Sequence, residues 1–554
     1  MARSPLFAAL RRILRRSQRG DTTGAAATGP TRRQVLGALG ALAAVPVLPQ
    51  LGGCGDNIGP GSTTIAVVGG GIAGLTAAHF LAQVGADVTV YESSMRAGGR
   101  MFTDTTSLPG GQLVELGGEL VDSDHVVVPA LCAAFGLALD DLIEATPGLR
   151  QDIFHFDGGA LTEAEIVAAF TPVAARMQMA MAAAEGTDAA SVAEFERIDA
   201  LSIPDWLMAE GGLATMTMMR RLLETAYTEE YGLEPELQSA WNLIYLIDST
   251  TPDPFRVFGD SDERFHIHDG SGALPTAIAS ALGDKVTLDH RLTKVAAAGD
   301  GFTLTFATSG GDVTVACDHV VYALPFTRLR EVDLDGAGLS AAKREVIAEL
   351  GYGTNAKLMM QFSDRHWQSA HASAGSVITD VGELQALWST SRGQPGATGV
   401  LTNFVGGDRG VAIGAGTAES QATTVLPWIE TIFPGTQARY VAGTAIRQHW
   451  PSYEHVKGSY ACYQVGQWRF FGTEGAREGN QHFCGEHCSE DFQGYMEGGA
   501  ETGAMVAAEI MDDLAQEYPA LLAQLVSGAR AGRPRASFHA GHGTTMRPSQ
   551  IRRR

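Results

Sequence analysis

The sequence predicts an α/β protein in which a parallel-sheet domain, built from separated stretches of chain, is interleaved with a discontinuous α+β domain. Three observations predict this. Residues 63–93, "TTIAVVGGGIAGLTAAHFLAQVGADVTVYES", read as apolar strand, glycine turn, helix and second strand, a compact βαβ unit. Residues 126 to about 250 are rich in Ala, Met, Glu and Leu at helical spacing, as in "AEIVAAFTPVAARMQMAMAAA". Strand signals then return in "KVTLDHRLTKV", "FTLTFAT", "VTVACDHVVYALP" and "KLMMQF", and the chain closes on "HFCGEH" and a glycine-interrupted helix. A chain of 554 residues is also too long for one simple core.

Residues 1–54 read as a leader rather than as fold. "TRRQVLGALGALAAVPVLPQLGGC" places Arg32 and Arg33 before an apolar run broken by Pro46 and Pro49. Such a run is too short to span a bilayer as a stable helix. It resembles a twin-arginine export signal, which implies a periplasmic or otherwise extracytoplasmic protein. Leu51–Cys54, "LGGC", also resembles a lipoprotein cleavage box. Two readings stay open here, a lipid anchor at Cys54 or cleavage nearby that discards it. A mitochondrial presequence shares the Arg-rich, acid-poor composition, but twin arginines before a short apolar core fit export better.

The elements that follow are expected in this order. By a resemblance set out below, residues 55–125, which begin with a Gly-rich linker, are expected to form the first part of a nucleotide-binding domain, and residues 126–262 a helical substrate-binding region. Residues 263–330 return to the nucleotide-binding domain, 331–449 complete the substrate-binding domain, and 450–515 close the nucleotide-binding domain. Residues 516–554, Arg/Gly/Ser/His-rich from about 528, read as a tail without fold. The methionines of the helical region read as core filler.

Gly69, Gly71 and Gly74 form GxGxxG directly after the apolar strand and at the start of a helix. The first permits the tight turn, the second lets the backbone approach a pyrophosphate, and the third lets helix and strand pack closely. The helix N-terminus then faces the phosphates. Glu92, at the end of the second strand, can accept from a ribose hydroxyl. Strand, glycines, helix and acid in register predict a Rossmann-like dinucleotide site.

Composition narrows the partners. A formal net charge of −22 argues against nucleic acid, whose phosphates such a surface repels. No lysine occurs between Asp140 and Asp260, and acids dominate that block. It reads either as a solvated acidic surface or as an attractor of cations. The six cysteines show no disulfide framework. Cys484, His487 and Cys488, with His482 nearby, raise a zinc reading that is set aside; no metal is expected.

The blocks "VVGGGIAGL", "VYES", "RAGGR" and "VELGGEL" together resemble the nucleotide-binding half of the flavin-dependent amine oxidases. The resemblance continues in order to about residue 510, through "DGSGALPTAIASAL", "VVYALP", "YGTNAKLMMQF", "GSYACY" and "GYMEGGAETG". It implies an FAD-binding domain of the amine oxidase type. The expected cofactor contacts are Gly69, Gly71, Ile72, Ala73, Gly74, Glu92, Gly99, Arg100, Gly117, Gly118, Glu119, Leu120, Leu292, Trp450, Glu486 and Met496. Within that set Arg100 would neutralise the pyrophosphate, the strand at Leu292 would meet the adenine, and Trp450 would pack on the ring system. Ser459 stands where some members carry a flavin-linking cysteine, so the FAD is expected to be non-covalent.

The resemblance also assigns catalytic roles. Tyr460 and Tyr495 would form an aromatic cage before the flavin, and Lys357 would hold a water at flavin N5 and assist electron transfer to oxygen. Taken from its residues alone, Lys357 reads better as a snorkelling surface lysine on an edge strand. The implied reaction is oxidation of a small-molecule amine by hydride transfer, with O2 or a redox protein as electron acceptor. An L-amino-acid oxidase and a catalytically silent flavin-binding protein remain as alternatives. An amino-acid substrate would want an arginine where this chain has Leu120, unless Arg256 or Arg447 supplies the cation.

Overall fold

The strand Thr64–Val68 is apolar and buried almost throughout because it lies at the centre of a parallel sheet covered on both faces. The computed structural model describes residues 63–186 and 188–532. The leader expected over residues 1–54, Cys54 included, lies outside them. The central sheet has five strands in the order Val286–Thr287, Asp87–Tyr91, Thr64–Val68, His319–Tyr322 and Gln481–Phe483, every neighbouring pair parallel. Its strands come from three separated stretches of chain.

Helices Ile72–Gln83 and Met496–Asp513 pack against each other beside this sheet. Glycine makes the first of them possible. A Cβ on Gly74 would stand 2.1 Å from the Gly69 carbonyl oxygen, so only glycine lets helix and turn approach this closely. Gly69 itself has φ of +112°, and a Cβ there would meet the Ala323 carbonyl at 2.5 Å. A four-stranded sheet, Gly311–Cys317, Gly301–Thr308, Arg291–Ala298 and Asp333–Gly336, adjoins the central one.

The helical region contains Glu163–Ala184, Ala189–Asp199, Ile203–Ala209, Met218–Tyr231 and Ala240–Leu246. The first starts on a capping box, in which Thr162 and Glu165 satisfy each other's backbone N–H groups. Its methionines divide, with Met177 in the core and Met179 exposed. Gly232, with φ of +71°, ends Met218–Tyr231 in the left-handed conformation and leaves Glu229 and Glu230 in the last turn.

A seven-stranded sheet completes the second domain, in the order Ile446–His449, Ala356–Phe362, Gly399–Val405, Ala386–Ser389, Ser373–Thr379, Arg150–Phe156 and Gly159–Ala160. The strand carrying Lys357 is therefore internal, and all its residues are buried. The edge-strand reading of Lys357 fails on this topology. The expected tail also differs: Ala520–Gly532 is a helix that buries Leu522, Leu525 and Val526 against the core of the nucleotide-binding domain. The Arg/Gly/Ser/His composition that suggested a tail begins only after those apolar residues.

Candidate active site

One cavity runs from Glu92, His290 and Leu292 at the nucleotide end to Lys357, Tyr460 and Tyr495 in the second domain. It is lined by residues from all three stretches of the nucleotide-binding domain, which explains why no single segment reveals it. At one end, the backbone of Gly71 and Gly99 forms the floor. A Cβ on Gly71 would find only the Gly99 Cα, at 4.0 Å, so its other side is open to a ligand. Ile72 and Ala73 follow in the first helical turn, whose N–H groups point out of the helix at this place.

The charged groups at this end are fixed by protein partners. Glu92 accepts from the N–H groups of Gly70 (2.7 Å) and Ser94 (2.8 Å) and from the Ser93 hydroxyl (3.2 Å). Arg100 Nη1 donates to Glu486 Oε1 at 2.7 Å and to the Ser459 carbonyl at 2.8 Å. The Glu486 carboxylate also accepts from the N–H groups of Gly494 (2.9 Å) and Ala461 (3.3 Å). Glu486, expected among the cofactor contacts, lines the cavity and is held in place by these protein donors.

The middle of the cavity is built by close backbone approach. A Cβ on Gly117 would lie 1.8 Å from the Arg100 carbonyl, and one on Gly118 would strike Met496 at 2.8 Å. Trp450 is buried and donates from Nε1 to the Leu116 carbonyl at 3.0 Å. Tyr495 caps the helix Met496–Asp513, so the positive end of that helix opens toward the cavity.

Lys357 is buried, with 5 % of its surface exposed. Its Nζ donates to the carbonyls of Gly117 (2.8 Å) and Glu115 (3.2 Å) and to Glu119 Oε2 (2.9 Å). An ammonium has three N–H donors and no acceptor, so these bonds use all of them. The water-holding role expected for Lys357 does not fit this arrangement, and Glu119, expected among the cofactor contacts, is its counter-ion. Burial pushes the Glu119 carboxyl up, but the Lys357 charge and hydrogen bond outweigh it and hold the group below the usual carboxylate range.

Around the two tyrosines the wall is acidic. Tyr460 directs its hydroxyl at the Glu229 carbonyl (3.4 Å), whereas the buried Tyr495 hydroxyl has no protein partner. Asp122, Glu230 and Glu263 line the same cavity. Asp122 accepts from the Ser261 hydroxyl, from the Glu263 N–H (2.8 Å) and lies 3.3 Å from His125 Nε2. Burial and the neighbouring Asp122 charge push the Glu263 carboxyl up to about 7. Burial, with Glu230 and Glu263 nearby, also pushes the Glu229 carboxyl well up.

The residues present therefore fit a long dinucleotide: a glycine floor at a helix N-terminus, a partly exposed arginine in the cavity, and a second helix end further along it. Residues 72–511 match the family model described as flavin containing amine oxidoreductase. The chain belongs to that family. An L-amino-acid oxidase of Siganus canaliculatus is 24% identical over 441 residues, covering 77% of this chain and 81% of that protein. A pseudooxynicotine dehydrogenase of a Pseudomonas species is 25% identical over 508 residues, covering 87% and 96%. Cyclohexylamine oxidase from Brevibacterium oxydans has a TM-score of 0.70 at 20% identity, covering 82% of this chain and 100% of that one. The last likeness shows the fold.

As a flavin-containing amine oxidoreductase, the chain oxidises amines at a bound flavin, and the wall residues acquire a chemical context. Asp122 follows the "ELGGEL" turn in sequence, Glu230 is one acid of the lysine-free block of residues 140–260, and Glu263 carries no local signal. Helix Met218–Tyr231 and the segment before strand Phe265–Ile267 bring them to the tyrosines from distant parts of the chain. Arg256 and Arg447 do not approach the cavity. Arg256 pairs with Asp248 and Asp260, and Arg447 donates to the carbonyls of Ile413, Ala415 and Gly416. Cys484 and Cys488 carry thiols pushed up by burial. His482 turns away from them to His319 Nδ1 (3.2 Å) and Glu509 (3.2 Å).

Proposed function

We propose that this amine oxidoreductase binds FAD non-covalently and oxidises a cationic amine that lacks an α-carboxylate. One observation carries the substrate reading: the wall around Tyr460 and Tyr495 holds Asp122, Glu230 and Glu263, and of the cations lining the cavity Lys357, Arg100, Arg328 and Arg96 are already engaged. Lys357 is paired with Glu119, Arg100 with Glu486 and Arg328 with Glu331, while Arg96 donates to the carbonyls of Ala97 and Gly99. Arg291 is exposed on the strand beside Leu292, at the nucleotide end. A substrate carboxylate placed among those acids would be desolvated without a counter-ion, at a cost of several kcal/mol.

Bound flavin supplies the chemistry of accepting a hydride from the carbon that bears the amine, after which the imine hydrolyses in water. The chain's part is positioning and electrostatics. Tyr460 and Tyr495 flank the reacting amine, exclude water and admit it in its neutral form. Asp122, Glu230 and Glu263 hold a remote positive charge, so one amine of a diamine is recognised while the other reacts. Trp450 and the helix end at Tyr495 orient the ring system, the helix end favouring negative charge near it.

L-Amino-acid oxidation is the second reading, favoured by the named activities of relatives such as the Siganus protein. Leu120, half-buried in the wall, offers such a substrate no cation. Anaerobic titration with paired amines and amino acids separates the two readings by which compound bleaches the flavin. The leader supports export through the twin-arginine route to the periplasm, with Cys54 as a lipid anchor. Metabolic labelling with a fatty acid, compared with Cys54→Ala, tests that anchor.

A further inference from the structure

Reoxidation of a reduced flavin by dioxygen moves two electrons and two protons to O2 and gives hydrogen peroxide. The first electron produces superoxide, so a single negative charge appears on oxygen and a nearby uncompensated cation lowers its energy. In this cavity the basic group beside Trp388 is Lys357, with its Nζ 5.1 Å from that ring. It is not uncompensated. Glu119 Oε2 lies 2.9 Å from Nζ, both side chains are 6 % exposed, and the Gly117 and Glu115 carbonyls take the remaining protons. Two opposite charges this close act on a third as a dipole, whose field falls off much faster than that of one charge.

We propose that Glu119 is a positioning residue that neutralises Lys357 and makes the reduced enzyme slow towards dioxygen. The inference rests on the flavin binding proposed above, with the ring system against residues 117–120, which line the cavity and are cofactor contacts implied by the resemblance, and adds that O2 is a poor acceptor for this chain. Glu119 is built for the task. It follows the Gly117–Gly118 turn, where a Cβ on Gly117 would collide with the Arg100 carbonyl, so the close backbone packing holds its carboxylate against the internal strand Ala356–Phe362. Ion pairs of exposed, flexible side chains are weak and exchange with water, whereas this one is enclosed.

The test uses FAD-loaded wild type, Glu119→Gln and Lys357→Met, each reduced anaerobically with dithionite so that no substrate is needed. On mixing with air-equilibrated buffer, Glu119→Gln is expected to reoxidise about tenfold or more faster than wild type, because its ammonium is then unpaired. Lys357→Met is expected to stay within about twofold of wild type, because Glu119 without its partner takes up a proton in a buried site. Sulfite titration of the oxidised proteins gives a second readout, since sulfite brings negative charge to the flavin. Glu119→Gln should bind it about tenfold more tightly. Equal reoxidation and equal sulfite affinity in wild type and Glu119→Gln would overturn the proposal. So would a tenfold loss in Lys357→Met, which would show Lys357 acting as a free cation. Where Glu119→Gln holds no flavin, Lys357→Met decides alone. A protein that no amine bleaches but that reoxidises as described would defeat the substrate reading and leave this one standing.

Discussion

Arg100 Nη1 lies 2.7 Å from Glu486 Oε1, joining the first stretch of the nucleotide-binding domain to the last across 386 residues of sequence. The pair sits on the cavity wall with the arginine a quarter exposed and the acid buried. The guanidinium is thereby held in place with donors left over for a ligand phosphate. Arg100→Glu would set two carboxylates against each other and repel a pyrophosphate. Gly71→Asp would fill the opening above Gly99 with a negative charge. Both variants should purify without flavin, read as loss of the yellow colour relative to protein.

Flavin should leave the wild-type protein completely on denaturation. The Ser459 hydroxyl donates to Asn355 Oδ1 at 2.6 Å, and no cysteine is among the described residues that line the cavity. Colour remaining with the precipitated polypeptide would show a covalent link and contradict this assignment.

A pH dependence follows from Glu263, whose carboxyl is pushed up to about 7 by burial and Asp122. Its folded-state value is raised, so the group is neutral below about 7 and gains its charge as the pH rises through it. Recognition of a remote ammonium should therefore strengthen as pH rises from 6 to 8. In Glu263→Gln the KM for a diamine should be close to wild type at pH 6 and about tenfold higher at pH 8, the loss of one charged hydrogen bond. Taking the ratio of the two proteins at each pH cancels the titration of the substrate. A ratio that does not change with pH removes Glu263 from substrate recognition.

Substrate class can be measured directly by kcat/KM for an amino acid against its decarboxylated amine. Phenylalanine with phenethylamine and ornithine with putrescine isolate the carboxylate. The amine should be preferred in both pairs, by about tenfold or more if the desolvated carboxylate costs several kcal/mol. Preference for the amino acid in either pair would return the chain to the activity named for its sequence relatives.

The C-terminal helix should matter for stability. Leu522 has no exposed surface, and Leu525 and Val526 are buried beside it. Leu522→Ala should lower unfolding stability by about 2–5 kcal/mol through lost transfer energy and the cavity left behind. Chemical denaturation of the flavin-loaded protein measures this. An unchanged midpoint would return residues 516–532 to the status of a tail.

The local features of this protein were determined by sequence alone. GxGxxG after an apolar strand dictates strand, tight turn and helix because only glycine avoids the 2.1 Å and 2.5 Å collisions at Gly74 and Gly69. The order of strand and helix signals likewise carried the alternation of helix-rich and strand-rich stretches, since hydrophobic periodicity is a short-range property. What lies opposite a residue is long-range, and tertiary structure decided it. Nothing near Lys357 in the sequence shows that Glu119, 238 residues away, would take its charge, or that its strand would be internal to a seven-stranded sheet. Glu230 and Glu263 read as ordinary acids until the helical region folds them onto the wall beside Tyr460 and Tyr495. The acid content of residues 140–260 was legible, but which acids lose their water was not. Burial sets the energy of a charge, and burial is a property of the whole packed chain.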